Sequence, residues 1–160
     1  SVTEEETQPH NGLTLINRIV EKRISDMMFI SMFYGVYDKK TSTLTYGSAG
    51  HEPALLYRKE TDRIQLLDAQ GLLLGVMSEV IYEEKEVVLQ SGDFVAIMTD
   101  GVTEVKVEDE FVSDEALQQF IYDVREMSAQ QIASTMYDQN MPMQASKLRD
   151  DFTLVVLKKQ

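Results

Sequence analysis

Two aspartate-bearing segments have the residue types and placement to do chemistry. Asp100 lies in Thr99-Asp100-Gly101, directly behind an apolar run over residues 94–98, and Asp150-Asp151 comes directly before a second apolar run over residues 152–157. A carboxylate at the end of a rigid core strand has a fixed direction, and the glycine after Asp100 lets the backbone turn and leaves room beside it. Oxygen ligands of this kind suit hard divalent cations such as Mg²⁺ and Mn²⁺. If the two strands are neighbours, Asp100 and Asp150 could converge on one cation. Spacing alone favours a plainer reading, an ordinary Asp-Gly turn and a solvated Asp-Asp pair.

Other chemistries are narrowed by what the chain lacks. It has two histidines, His10 and His51, too few for a histidine-rich metal site. His51 sits in Ser48-Ala49-Gly50-His51-Glu52-Pro53. No G-x-S-x-G elbow accompanies it, so it reads as a hydrogen-bonding element of a loop rather than a catalyst. With no cysteine, disulfides, zinc-thiolate sites, iron–sulfur clusters and thiol nucleophiles are excluded. Neither a G-x-G-x-x-G nor a Walker sequence is present. The 15 basic and 27 acidic residues give a formal net charge of −12. That field repels phosphate backbones and anionic lipid, so neither nucleic acid nor membrane is expected as a partner. It favours divalent cations and basic protein surfaces, and equally serves simple solubility. No apolar run approaches the roughly 18 residues of a membrane span. Residues 1–9 read as a polar tail without signal-peptide character, and a cytoplasmic location is expected. The missing initial Met points to a piece of something longer.

The elements that must position these residues follow from periodicity. Leu13, Ile16, Val20 and Ile24 form one helical stripe over residues 11–24, with Asn17 off it. Residues 27–37 are apolar and aromatic, predicting a buried strand. That strand turns at Asp38-Lys39-Lys40 into a second one over residues 43–47. Phe29, Phe33, Tyr34 and Tyr37 are expected in the core, as are the methionines, Met28 among them. Residues 54–58 and 64–67 predict another hairpin. Residues 82–89 predict a strand with a charged face, and 94–98 a strand buried on both faces. Leu117, Phe120, Ile121 and Val124 mark a helix that starts near Asp114. Ser128 and Gln131 have the spacing of a capping box, opening a helix expected to end before Pro142. Residues 152–157 predict the last strand. This order is that of an α+β fold with a mostly antiparallel sheet and helices laid on it.

Five segments in this order are similar to one family. They are Met28-Phe29-Ile30-Ser31-Met32-Phe33-Tyr34-Gly35, Ser48-Ala49-Gly50-His51-Glu52-Pro53, Gly71-Leu72-Leu73-Leu74-Gly75, Thr99-Asp100-Gly101-Val102-Thr103-Glu104 and Asp150-Asp151-Phe152-Thr153-Leu154. Together they resemble the SpoIIE-type branch of the metal-dependent serine/threonine protein phosphatases (the PPM superfamily), and most of all the stress-response phosphatases of bacilli.

The resemblance implies an antiparallel β-sandwich flanked by helices, in α–β–β–α layers, with Mn²⁺ or Mg²⁺ at one end. Carried over by position, it implies metal ligation by Asp100 and Asp150, with Asp151 orienting the site and Gly101 beside it. Gly50 and His51 become supporting residues rather than ligands. The implied reaction is hydrolysis of phosphoserine or phosphothreonine by a metal-activated water that attacks phosphorus in line. The implied substrate is a small phosphorylated anti-sigma-factor antagonist whose release from phosphate switches on a sigma factor. A kinase-like or sensor partner is the implied activator. One departure is expected to matter. The family's further metal-binding acids precede the first helix, and only Glu4, Glu5 and Glu6 stand there. Residues 10–160 therefore read as the C-terminal two-thirds of the domain, incomplete at its N-terminus. Sheet edges left open in this way would invite self-association. The competing readings are an inactive phosphatase-like module that binds its partner without turnover and an unrelated α+β structural domain.

Overall fold

The computed structural model describes residues 8–24, 28–99, 106–107, 110–111, 114–144 and 153–160, with backbone alone at 106–107, 110–111, 114 and 139–144. The chain divides into two compact units, the first from residues 1–53 and 68–89 and the second from residues 54–67 and 90–160.

In the first unit, helix α1 (Pro9–Glu21) packs on an antiparallel sheet of β1 (Met32–Asp38), β2 (Thr43–Ala49) and β5 (Lys85–Val88), in the order β1-β2-β5. The helix starts earlier than the periodicity predicts, because Pro9 fits the first helical position, where a missing N–H costs nothing. Gln8 offers no side-chain cap; the Glu84 carboxylate serves instead, accepting from the His10 backbone N–H at 3.1 Å and lying 2.7 Å from His10 Nδ1. At the other end Arg23 and Ile24 both donate to the Val20 carbonyl, which closes the helix as a tight turn before residue 24. Leu13 is fully buried, and Ile16 and Val20 pack around it with Ala49, Leu74 and Tyr82.

Asn17 is the exception to the predicted stripe. It is 1% exposed, four residues on from Leu13 and on the same face. The 27–37 segment also departs from expectation. The β1 ladder begins only at Met32, opposite Ala49; ahead of it Ile30 pairs with Leu74 instead, the N–H of each donating to the carbonyl of the other at 3.1 and 2.9 Å. Met28 and Phe29 are consequently 59% and 62% exposed rather than core residues. Phe33, Tyr34 and Tyr37 are half-buried, with Phe33 stacked on Tyr46 at 5.6 Å. Residues 82–84 lie outside β5, although Tyr82 and Leu89 flank it as buried anchors.

In the second unit, β4 (Arg63–Leu67), β3 (Ala54–Arg58), β6 (Phe94–Met98) and β9 (Leu154–Lys158) form an antiparallel sheet in that order. Helices α2 (Asp114–Val124) and α3 (Ala129–Gln144) supply Ile121, Val124, Ile132 and Met136 to its core, beside Leu55, Tyr57, Phe94, Ala96 and Met98. Leu117 and Phe120 pack against that cluster, so the predicted stripe of α2 is the buried one. The capping box forms reciprocally: Ser128 N–H donates to Gln131 Oε1 at 2.9 Å and Gln131 N–H to Ser128 Oγ at 3.3 Å. The helix then runs two residues past Pro142 instead of stopping before it. The prolyl nitrogen forfeits one backbone hydrogen bond without ending the helical path. A short hairpin of β7 (Lys106–Val107) and β8 (Glu110–Phe111), which the sequence pattern did not signal, belongs to the same unit.

Two polar groups tie this unit together. Asp93, 1% exposed, accepts from Arg58 Nη1, Lys59 N–H and Gln90 N–H, each at 2.9 Å. Lys158 Nζ donates to the Arg125 and Met127 carbonyls at 2.7 and 2.6 Å, satisfying the end of α2. Burial there pushes its pKa down. The α+β class and antiparallel sheets agree with the sequence reading.

Candidate active site

β6 and β9 are neighbours, which is the condition the two aspartate segments required. Their register pairs Phe94 with Lys158 and Met98 with Leu154. One step further, the Thr99 N–H donates to the Thr153 carbonyl at 3.1 Å and the Thr153 N–H to Thr99 Oγ1 at 3.0 Å. The C-terminal end of β6 and the N-terminal end of β9 are thus clamped side by side. Asp100 and Gly101 follow Thr99 directly in sequence, and Asp150 and Asp151 precede Thr153 by three and two residues. These four residues lie outside the described residues, as do Val102, Thr103, Glu104 and Phe152. Their carboxylates are the kind of donor a hard cation takes. Among the described residues no cluster of three His, Cys, Asp or Glu side chains is arranged to hold a metal.

Gly50 and His51 belong to the first unit, in a loop closed on itself. The His51 N–H donates to Ser48 Oγ at 3.1 Å, and Ser48 Oγ donates back to the His51 carbonyl at 3.2 Å. His51 Nδ1 is 2.9 Å from the Glu52 carbonyl, which can only accept, so Nδ1 carries the proton. The ring also meets Phe33 edge-on at 6.4 Å. This loop interlocks with residues 71–75. A Cβ on Gly71 would stand 2.0 Å from the Ser48 carbonyl oxygen and 2.7 Å from Tyr82 Cδ1. A Cβ on Gly50 would stand 2.8 Å from Leu73 Cδ2. Gly71 is required by the close approach of the Ser48 backbone, and Gly75 by its left-handed backbone (φ +88°) against the Ile24 side chain.

Asn17, which sequence reasoning left aside, pins the far end of that segment. Its Oδ1 accepts from the Gly75 N–H at 2.8 Å and its Nδ2 donates to the Met77 carbonyl at 2.7 Å. The only sequence signal for this is an amide four residues from a core leucine. Tyr82 Oη is buried with no hydrogen-bond partner among the described residues, and burial raises its pKa.

Solved structures share this fold. The SiaA-PP2C domain of Pseudomonas aeruginosa superposes with a TM-score of 0.78 at 15% identity, over 96% of this chain and 62% of that one. The phosphatase domain of the cell-fate determinant SpoIIE from Bacillus subtilis, presoaked with Mn, gives 0.68 at 20% identity, over 92% and 65%. The fold is thus that of PP2C-type phosphatase domains. The family model for stage II sporulation protein E (SpoIIE) matches residues 1–160, and the chain belongs to that family. Phosphoserine phosphatase RsbU of Bacillus subtilis (strain 168) is 36% identical over all 160 residues, and the chain spans 48% of that relative's length.

Proposed function

We propose that this chain carries the metal-binding C-terminal part of a Mn²⁺- or Mg²⁺-dependent phosphatase domain that hydrolyses phosphoserine and phosphothreonine on a small regulatory protein. The observation that carries the reading is the β6–β9 clamp, which joins the strand ends from which Asp100 and Asp150 extend, in a chain 36% identical to a phosphoserine phosphatase along its whole length. Asp100 and Asp150 are the residues proposed to hold the cation. Asp151 orients that end of the sheet, and Gly101 keeps the space beside Asp100 clear. Gly50 and His51 act as supports, holding their loop against residues 71–75. When bound, the cation supplies charge neutralisation at the phosphate and a water of lowered pKa.

From the family resemblance of its segments, the substrate we propose is a phosphorylated anti-sigma-factor antagonist, with a kinase-like or sensor partner as activator; the relative RsbU is a phosphoserine phosphatase. The chain is proposed to correspond to the C-terminal two-thirds of such a domain, with Pro9 inside helix α1 rather than in a tail. The shares of the related domains that the chain covers, 62% and 65%, support this. The domain acts in the cytoplasm and self-associates through open sheet edges. Among the described residues no helix is long and apolar enough to cross a membrane.

The substrate class is read by comparing phosphate release from proteins phosphorylated on serine, threonine or tyrosine. Release from the first two but not the third is expected. Equal release from phosphotyrosine would overturn the assignment.

A further inference from the structure

A groove of about 510 Å³ runs in the second unit between α3 and the start of β9. Gln130, Ser134, Tyr137 and Asp138 line one wall and Thr153 the other. The four helical residues recur at i, i+4, i+7 and i+8, which places them on one face. Gln130 Nε2 lies 3.4 Å from Ser134 Oγ, and the Tyr137 ring is 50% exposed. Thr153 is fixed by its backbone bonds to Thr99, so that wall of the groove is tied to the strand that leads into Thr-Asp-Gly. Among the described lining residues Asp138 is the one charged group, and none is basic.

We propose that this groove binds the polypeptide flanking the phosphoserine of a protein substrate and selects a basic side chain there. The inference rests on the phosphatase reading above and adds the substrate's local chemistry to it. Thr153, which lines the groove, stands two residues after Asp151 in sequence, and the polypeptide beyond a phosphate held at the aspartates is the occupant proposed for it. Asp138 would repel a phosphate inside the groove, and among the described lining residues no basic side chain offsets that repulsion. An arginine or lysine instead meets Asp138 as an ion pair and the face of Tyr137 as a cation–π contact. Gln130, Ser134 and Thr153 offer hydrogen bonds to a peptide backbone. The net charge of −12 draws a basic segment toward the chain as a whole.

The probe is a short fluorescein-labelled phosphoserine peptide with arginines on both sides of the phosphoserine, compared with a twin carrying glutamates there. Binding is read by fluorescence anisotropy and phosphate release is followed in the same samples with Mn²⁺. The arginine peptide is expected to bind more tightly. Asp138→Lys should weaken it roughly tenfold and favour the glutamate twin, while Glu60→Lys, an equal charge change on an exposed turn, should leave the preference standing. Tyr137→Ala should weaken the arginine peptide with no change of charge, and matched thermal melts show that the variants fold. An unchanged preference in Asp138→Lys, or no binding of either peptide to the folded wild-type chain, overturns the groove. No phosphate release alongside a preference that reverses in Asp138→Lys overturns the catalytic reading and leaves the groove.

Discussion

Asp93 shows how one carboxylate can organise a unit. It is buried, yet three donors satisfy it: a guanidinium from the end of β3 and two backbone N–H groups from adjoining turns. Asp93→Ala removes the acceptor these three groups share, and unfolding by denaturant should show a loss of about 3 kcal/mol. Tyr57 gives a pH signature. Burial, together with its hydrogen bond to Asp62, pushes its pKa from 10.0 up to about 12. The folded state therefore holds this proton more tightly than the unfolded state does. The stabilisation is complete below pH 10 and is lost as pH rises from 10 toward 12. Stability should fall through that window by on the order of 2 kcal/mol more in the wild type than in Tyr57→Phe, read by denaturant unfolding at each pH. Residue-scale legibility was uneven. Asp100 and Asp150 could be singled out because each adjoins an apolar strand. Asn17 could not, because an amide on an apolar stripe looks like an outward-facing residue until its partners, some sixty residues away in sequence, are placed beside it.

At the scale of elements, local rules carried most of the reading. The Ser128–Gln131 capping box was visible as spacing and forms as both of its hydrogen bonds. Ser128→Ala should cost about 1 kcal/mol, measured as a lowered thermal midpoint. Both predicted hairpins form, because each has turn residues between two apolar runs. What periodicity could not give were the limits set by partners. β1 starts at Met32 only because β2 stops at Ala49, so the apolar Met28 and Phe29 are left in solvent. The β7–β8 hairpin has two residues in each strand, too few to show alternation. The glycines of the 71–75 segment were legible as breaks, but their reason is a tertiary contact. Gly71→Ala must move the Ser48 backbone, and a destabilisation of about 1–3 kcal/mol is expected in equilibrium unfolding.

For the whole molecule, the fold class was legible because helices and strands follow the order of a family with recognisable segments, and the family match covers every residue. The candidate site was legible in part. The sequence could state that Asp100 and Asp150 need neighbouring strands; the β6–β9 register answers that condition, which no pattern within either strand encodes. The division of the chain into units was not legible, because each unit is assembled from segments far apart in sequence. The central claim is that these strand ends serve a metal-dependent phosphatase, and the most direct measurement is phosphate release from a phosphoserine protein, with and without Mn²⁺, by the wild type and Asp100→Asn. The account predicts release that needs the cation and falls on the order of a hundredfold in the variant, since a lost metal ligand removes both charge neutralisation and the activated water. Release that persists under chelation, or that Asp100→Asn leaves unchanged, would contradict it.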